Sequence, residues 1–205
     1  MARFREYLLK GLAKLWFRLD RRHRQITLRN LEFAFGEALS PQAREELALQ
    51  VFEHFVRFFW EILELLLLPL ARITERVIIV GQEHLQEVLA RGQGVVAVTG
   101  HLGNWEYTAM AYGLRHQPLV VVGRDHDHPL MRRLIRHLRE RGRNRMIPKQ
   151  GGLAAMLAEL SRNQIVCLVV DQNTTTKGGV LVDFFGHRSR TTPIAAILAR
   201  RYKVP

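Results

Sequence analysis

The stretch Gly94-Val95-Val96-Ala97-Val98-Thr99-Gly100-His101-Leu102-Gly103-Asn104-Trp105-Glu106 decides how this chain is read. Val95 to Val98 is a short β-branched run of the kind that forms one buried strand, and a helical pattern starts near residue 104. A strand that turns directly into a helix is the unit of an open α/β sheet, and the ligands of such sheets collect beyond the carboxyl ends of the strands. His101 falls at that place. Five residues along a continuous helix turn through about 140° net, so His101 and Glu106 can meet only across a turn. Gly100 and Gly103 give the backbone that freedom. The spacing therefore predicts an imidazole and a carboxylate facing one another. A carboxylate on one ring nitrogen fixes the tautomer and stabilises the protonated ring, which is what a general base needs to take a proton from a hydroxyl. The plain alternative is a loop histidine held by structural hydrogen bonds. Glycines on both sides, a strand before and a helix after favour the chemical reading.

The same alternation extends in both directions. Val77 to Val80, Leu119 to Val122 and Ile165 to Val170 read as further buried strands, separated by helical patterns near 82–91, 128–141 and 151–162. This predicts an α/β domain over 76–205, with a largely parallel sheet flanked by helices. Residues 1–75 read as an α-helical N-terminal region. Phe4, Tyr7, Leu8, Leu12, Leu15, Trp16 and Leu19 recur at helical spacing, with Arg5, Lys10, Lys14 and Arg18 at other positions. Such a helix either packs its stripe on the rest of the protein or lies in a membrane interface. Ser40 as N-cap and Pro41 at the first helical position announce a second helix, striped by Leu47, Val51, Phe55, Phe58, Ile62 and Leu65 and ended by Pro69.

The 205 residues carry 31 Lys and Arg against 19 Asp and Glu, a net charge of +12, which favours an anionic partner: nucleic acid, anionic lipid or a phosphorylated substrate. A hydrophobic content of 47% excludes a disordered chain. The single cysteine, Cys167, lies inside an apolar run, which excludes an internal disulfide framework and a cysteine-based zinc site. The apolar stretch from Ile62 to Ala71 contains Glu64 and Pro69 and falls far short of the roughly 20 residues a span needs. The basic residues of the N-terminal stretch leave no signal-peptide core.

Thr99 to Glu106 resembles the His-x4-Asp/Glu box of the lysophospholipid acyltransferase superfamily. More narrowly, Thr-Gly-His-Leu-Gly-Asn-Trp-Glu is similar to the branch of lipid A biosynthesis lauroyl and myristoyl acyltransferases. The likeness continues through Gly123-Arg124, Arg139 to Gly142, Asp171-Gln172, Gly179 to Gly186 and Thr191-Thr192-Pro193, and upstream to Arg29-Asn30-Leu31-Glu32 and Phe35. The resemblance implies an O-acyltransferase that calls for no cofactor or metal. His101 would be the general base and Glu106 the acid that orients it. Arg124 and Arg139 would bind anionic substrate groups, and Asp171 would line the site. Phe184 and Phe185 would sit near the acyl pocket, two core phenylalanines being an equal reading. Acyl carrier protein or acyl-CoA would be the donor. The acceptor would be a hydroxyl of a lipid A precursor, or of another phospholipid or glycolipid such as a phosphatidylinositol mannoside. The implied place is the cytoplasmic face of the bacterial inner membrane, peripheral or monotopic, against an anionic surface. Family members begin with a membrane-spanning anchor and run well past the position of Pro205, so the chain reads as truncated at its carboxyl end.

The rival class is a basic nucleic-acid-binding protein, because seven arginines lie between Arg132 and Arg145. That stretch holds no aromatic residue on which bases could stack, and no nucleic-acid module is recognisable. Leu130, Leu134 and Leu138 give it a narrow apolar stripe, so a solvated basic face is the plain reading of most of these arginines. Asp125-His126-Asp127-His128 reads as a polar loop rather than a metal site. A hydrolase would want a Gly-x-Ser-x-Gly elbow, which the chain lacks.

Overall fold

The computed structural model describes residues 2–123, 128–149, 151–174 and 178–205. Its contacts divide the chain into two compact units, Met1–Leu63 with Asp183–Arg188, and Glu64–Val182 with Ser189–Pro205.

The first unit is built on three helices, α1 (Ala2–Leu19), α2 (Arg21–Phe35) and α3 (Pro41–Leu67, which runs on into the second unit). Asp20 caps α2 by accepting from the His23 N–H, and a short 3-10 turn, Gly36–Ala38, leads to α3. Ala13, Phe17, Ala48 and Phe52 form the core, with Phe52 edge-on to both Trp16 and Phe17. The face of α1 that packs is therefore Leu9, Ala13 and Phe17. Most of the apolar stripe read from the sequence lies outside it: Phe4 is 75% exposed and Tyr7 77%.

In the second unit, β1 (Val95–Thr99), β2 (Leu119–Gly123), β3 (Arg145–Pro148) and β4 (Ile165–Val169) form one sheet in the order β1-β4-β2-β3, every neighbouring pair parallel. The helices are α4 (Leu70–Glu75), α5 (Gln82–Leu89), α6 (Trp105–Arg115), α7 (Pro129–Arg141), α8 (Gly152–Ser161) and α9 (Ile194–Tyr202). The fold is thus α/β, with a parallel sheet flanked by helices and a helical N-terminal region. One face of the sheet packs Val120, Val166 and Leu168 against Met156 and Leu160 of α8 and Leu198 of α9. Buried Asn144 ties β2 to α6, accepting from the Leu119 N–H at 2.9 Å and donating to the Ala109 carbonyl at 2.8 Å.

Three departures from the sequence reading have local causes. Val77 to Val80 has the composition of a strand but no ladder partner among the described residues, and Ile78 and Val80 stand 87% and 90% exposed in an irregular connection. A β-branched run becomes a strand only where its N–H and C=O groups find another strand. In contrast β3 was hidden among arginines. As an edge strand it tolerates exposed Arg145 at one end and Pro148 at the other. The hairpin β5 (Val180–Phe184) and β6 (His187–Thr191) turns through Phe185 and Gly186, both at positive φ, without the Asn-Gly pair that usually marks such a turn.

Two arginines, Arg141 of the basic stretch and Arg115 at the end of α6, are structural. Arg141 donates to the Leu65 and Leu68 carbonyls at the end of α3, and Arg115 to the Thr74 and Val77 carbonyls at the end of α4. Each satisfies carbonyls that a helix end leaves open and places positive charge against the negative end of the helix dipole.

Candidate active site

Strand register builds the site. In β1 and β4, Val95 lies beside Ile165 and Thr99 beside Val169, and the Val170 N–H continues the ladder by donating to the Thr99 carbonyl at 3.0 Å. The same offset persists past both strand ends, so Asp171 arrives beside His101. Its Oδ1 lies 2.8 Å from His101 Nδ1, and its Oδ2 accepts the His101 main-chain N–H at 2.7 Å. Ring and backbone are clasped by one carboxylate. The pairing makes Nδ1 the protonated nitrogen and leaves Nε2 as the lone-pair nitrogen, with the Gln172 side-chain nitrogen 3.5 Å away. The Trp105 ring meets the imidazole at 80° with centroids 4.7 Å apart.

Gly100 permits this approach. A Cβ at that position would lie 3.1 Å from Asp171 Oδ2, tighter than a carboxylate held at 2.7 Å can absorb without moving. Partial burial pushes the Asp171 carboxyl up, but the two hydrogen bonds from His101 and its charge outweigh that, and the group titrates below its ordinary value of 3.8.

Glu106 is placed elsewhere. Asn104 caps α6 by accepting from the Tyr107 N–H at 3.0 Å, which puts Glu106 inside the first helical turn and buries it. Its carboxylate accepts from Arg139 Nη2 of α7 at 3.1 Å, and both side chains are largely shielded from solvent. The carboxylate that the five-residue spacing set against His101 is thus bonded to Arg139, and Asp171 occupies the position expected of it. The early helix start is the physical reason, because it fixes the direction of Glu106 before the turn can close on the histidine. Arg139 also lines a cavity of about 520 Å³ together with Arg132, Arg136 and Arg145.

Arg124, and with it Asp125, His126 and Asp127, lies outside the described residues. Phe184 and Phe185 stand at the β5–β6 turn, half exposed and edge-on to one another. Phe185 packs on Phe35 of α2 at 5.5 Å. Cys167 sits within β4, where burial pushes its thiol up and removes it as a nucleophile. Among the described residues no group of three or more His, Cys, Asp or Glu could hold a metal ion. What remains is a histidine with a clasping carboxylate at the carboxyl end of a parallel sheet, and a buried Glu–Arg pair between α6 and α7. The sequence put Asp171 in the site, but not on the histidine. That contact depends on the pairing of two strands separated by three helices and two other strands, which no local spacing reveals.

A family model described as bacterial lipid A biosynthesis acyltransferase matches residues 2–205. A lipid A biosynthesis lauroyltransferase of Escherichia coli (strain K12) is 29% identical over 199 residues, covering 93% of this chain and 61% of that protein. A phosphatidylinositol mannoside acyltransferase of Mycobacterium tuberculosis (strain CDC 1551 / Oshkosh) is 35% identical over 126 residues, 59% of this chain and 39% of that protein. A lipid A biosynthesis acyltransferase of Haemophilus influenzae (strain ATCC 51907 / DSM 11121 / KW20 / Rd) is 23% identical over 188 residues, 90% of this chain and 58% of that protein. The chain spans less than two thirds of the length of each of these relatives.

Proposed function

The chain belongs to the bacterial lipid A biosynthesis acyltransferase family, and from that membership we propose that it moves a fatty acyl group from a thioester to a hydroxyl of a lipid A precursor. The observation that carries the mechanism is the His101–Asp171 pair. With Nδ1 committed to the carboxylate, Nε2 takes the proton of the acceptor hydroxyl as its oxygen attacks the thioester carbonyl. The tetrahedral intermediate collapses with cleavage of the C–S bond, and the imidazolium returns the proton to the departing thiolate. Asp171 stabilises the ring while it is charged and keeps its tautomer when it is not. No covalent acyl-enzyme is needed. Main-chain N–H groups of the turn, or an arginine, stabilise the oxyanion.

Acyl carrier protein or coenzyme A carries the donor chain. The test is direct: the purified protein is incubated with each acyl thioester and a lipid A precursor, and the lipid product is read by mass spectrometry. One added acyl chain is the expected result. Because a mycobacterial relative named for phosphatidylinositol mannoside is 35% identical over part of the chain, that glycolipid is the second acceptor to assay. Acylation of it, with no acylation of the lipid A precursor, would replace the first reading. Within the mechanism, Gly100→Ala should lower turnover by up to about 100-fold with the melting curve nearly unchanged, because the added methyl displaces the carboxylate rather than the core. Wild-type turnover in that variant would show that the close approach of Gly100 to Asp171 carries no catalytic weight.

The enzyme works at the cytoplasmic face of the inner membrane, held peripherally by α1. Among the described residues no helix is long and apolar enough to cross a membrane. On α1, however, Phe4, Tyr7, Leu8, Leu12, Leu15 and Leu19 are exposed, while Arg5, Lys10, Lys14 and Arg18 add positive charge. Each basic residue near an anionic surface contributes roughly 1 kcal/mol, and salt screens it. The protein should sediment with phosphatidylglycerol vesicles at low salt and be partly released at high salt. Replacing Phe4, Tyr7 and Leu15 by serine should weaken sedimentation at least tenfold without unfolding the protein, since all three are exposed. Equal sedimentation of the two forms would move the anchor elsewhere, and tighter binding to nucleic acid than to vesicles would favour the rival class.

A further inference from the structure

Asp171 holds Nδ1 of His101 as the protonated nitrogen, so Nε2 carries the lone pair, and the Gln172 side-chain nitrogen lies 3.5 Å from it. That orientation is the favourable one, because the amide oxygen in the same place would set one lone pair against another. At this distance the contact is at the outer limit of a hydrogen bond, and it is the only one the amide makes among the described residues. An incoming hydroxyl therefore displaces it from Nε2 at little cost. The main chain beneath the amide is held on both sides. The Val170 N–H donates to the Thr99 carbonyl and the Val170 carbonyl accepts from Thr191 Oγ1, while Asn173 Oδ1 accepts the Arg190 N–H and the Thr174 N–H donates to the Arg190 carbonyl. Other donors near this edge are engaged. The His101 N–H goes to Asp171 Oδ2, and the Nη groups of Arg139 go to Glu106 and to Met146 Sδ.

We infer that Gln172 is a side-chain donor to the oxyanion of the transfer step, an inference that rests on the acyl-transfer reading above. The acceptor oxygen must come within about 2.6–3.2 Å of Nε2 to release its proton. As it adds to the thioester carbonyl, the new C–O bond forms, the carbonyl π pair moves onto oxygen and the proton passes to Nε2. The oxyanion is then two bonds from the acceptor oxygen, in reach of an amide that starts 3.5 Å from the same nitrogen. Its N–H meets a charge that is absent from the ground state, so it acts on the rate rather than on binding. When the intermediate collapses, the pair restores C=O, the C–S bond breaks and the imidazolium returns the proton to sulfur. The amide neither gives up nor gains a proton in this cycle, which leaves His101 as the base. While the site is empty, the same amide covers the lone pair of that base.

The experiment compares Gln172→Met, which keeps the size of the side chain and removes the donor, with Gln172→Glu, which puts an acceptor in its place. Gln172 is exposed, so both variants should melt as the wild type does. Gln172→Met should lower kcat by about 100-fold or more with KM for donor and acceptor nearly unchanged, and Gln172→Glu should lower it at least as far. Nitrogen NMR of the His101 ring separates this role from a positioning one. Asp171 sets the tautomer, so the ring signals should be the same in Gln172→Met and in the wild type. A wild-type kcat in Gln172→Met, a rise in KM with kcat unchanged, or a changed tautomer in that variant would overturn the inference. Hydrolysis of decanoyl-CoA, in which water replaces the lipid hydroxyl, gives the same comparison without an acceptor. If hydrolysis falls in Gln172→Met and in His101→Ala while the wild-type protein acylates no lipid, the Gln172 assignment survives and the lipid-acceptor reading is what has failed. If the wild-type protein acylates a lipid and Gln172→Met does so equally fast, only the Gln172 assignment has failed. A wild-type protein that neither transfers nor hydrolyses overturns both.

Discussion

Asp171→Ala should abolish most acyl transfer, a fall of about 100- to 10,000-fold, and should match His101→Ala in size. The two side chains form one device, because the carboxylate holds the imidazole at 2.8 Å and its main-chain N–H at 2.7 Å. Groups that act as a unit are not additive, so the double variant should be little worse than either single one. Both lie at the carboxyl edge of the sheet rather than in its core, so melting should change little. Asp171→Asn tests the charge apart from the geometry. The amide can still bond the ring, but it cannot stabilise the imidazolium, and a wild-type rate would show that the charge is irrelevant. The pH dependence has a definite sign. Asp171 titrates below 3.8 in the folded protein, so whatever the clasp adds to stability is fully present above that ordinary value and is lost as pH falls through the lower folded value. Acid loss of activity at higher pH must then come from another group. A stability transition centred above the ordinary carboxylate range that disappears in Asp171→Asn would contradict the lowered titration.

Much of this was legible in the sequence because it rests on local pattern. The strand Val95–Thr99, the glycines around His101, the cap at Asn104 and the alternation that gives a parallel sheet are all short-range features. The clasp of His101 by Asp171 was not legible, because it depends on β4 inserting between β1 and β2, a choice of strand order that hydrophobic runs do not encode. The edge strand β3 was masked for a related reason: a sheet edge needs only one partner and admits Arg145 and Pro148. The stripe of α1 left two readings open, packing on the protein or lying in a membrane interface. Phe4, Tyr7 and Leu12 have the spacing of a packing face, yet small Ala13 is what lets α1 approach α3, and the larger residues are left outside.

Glu106→Ala should cost folding stability before it costs chemistry. The carboxylate is 9% exposed and bonds Arg139, itself largely shielded, between α6 and α7. Removing one member of a shielded pair strands the other charge without compensation, typically at about 3–5 kcal/mol. Chemical denaturation should therefore show a fall of that order for Glu106→Ala, far more than for the exposed Asp171→Ala. Glu106→Gln keeps a hydrogen bond to the guanidinium and should lose less. The informative variant is Glu106→Leu with Arg139→Met, in which both charges are replaced by apolar groups of similar volume. Such exchanges are often neutral or stabilising, so the double variant should regain most of the stability that Glu106→Ala loses. Its turnover then separates two roles that the single variants confuse. Recovery of both stability and rate would make the pair a brace between helices. Recovery of stability with the rate still lowered would mean that Arg139 also meets an anionic substrate group. A Glu106→Ala protein as stable as the wild type, but inactive, would return Glu106 to the position beside His101 that the five-residue spacing first assigned it.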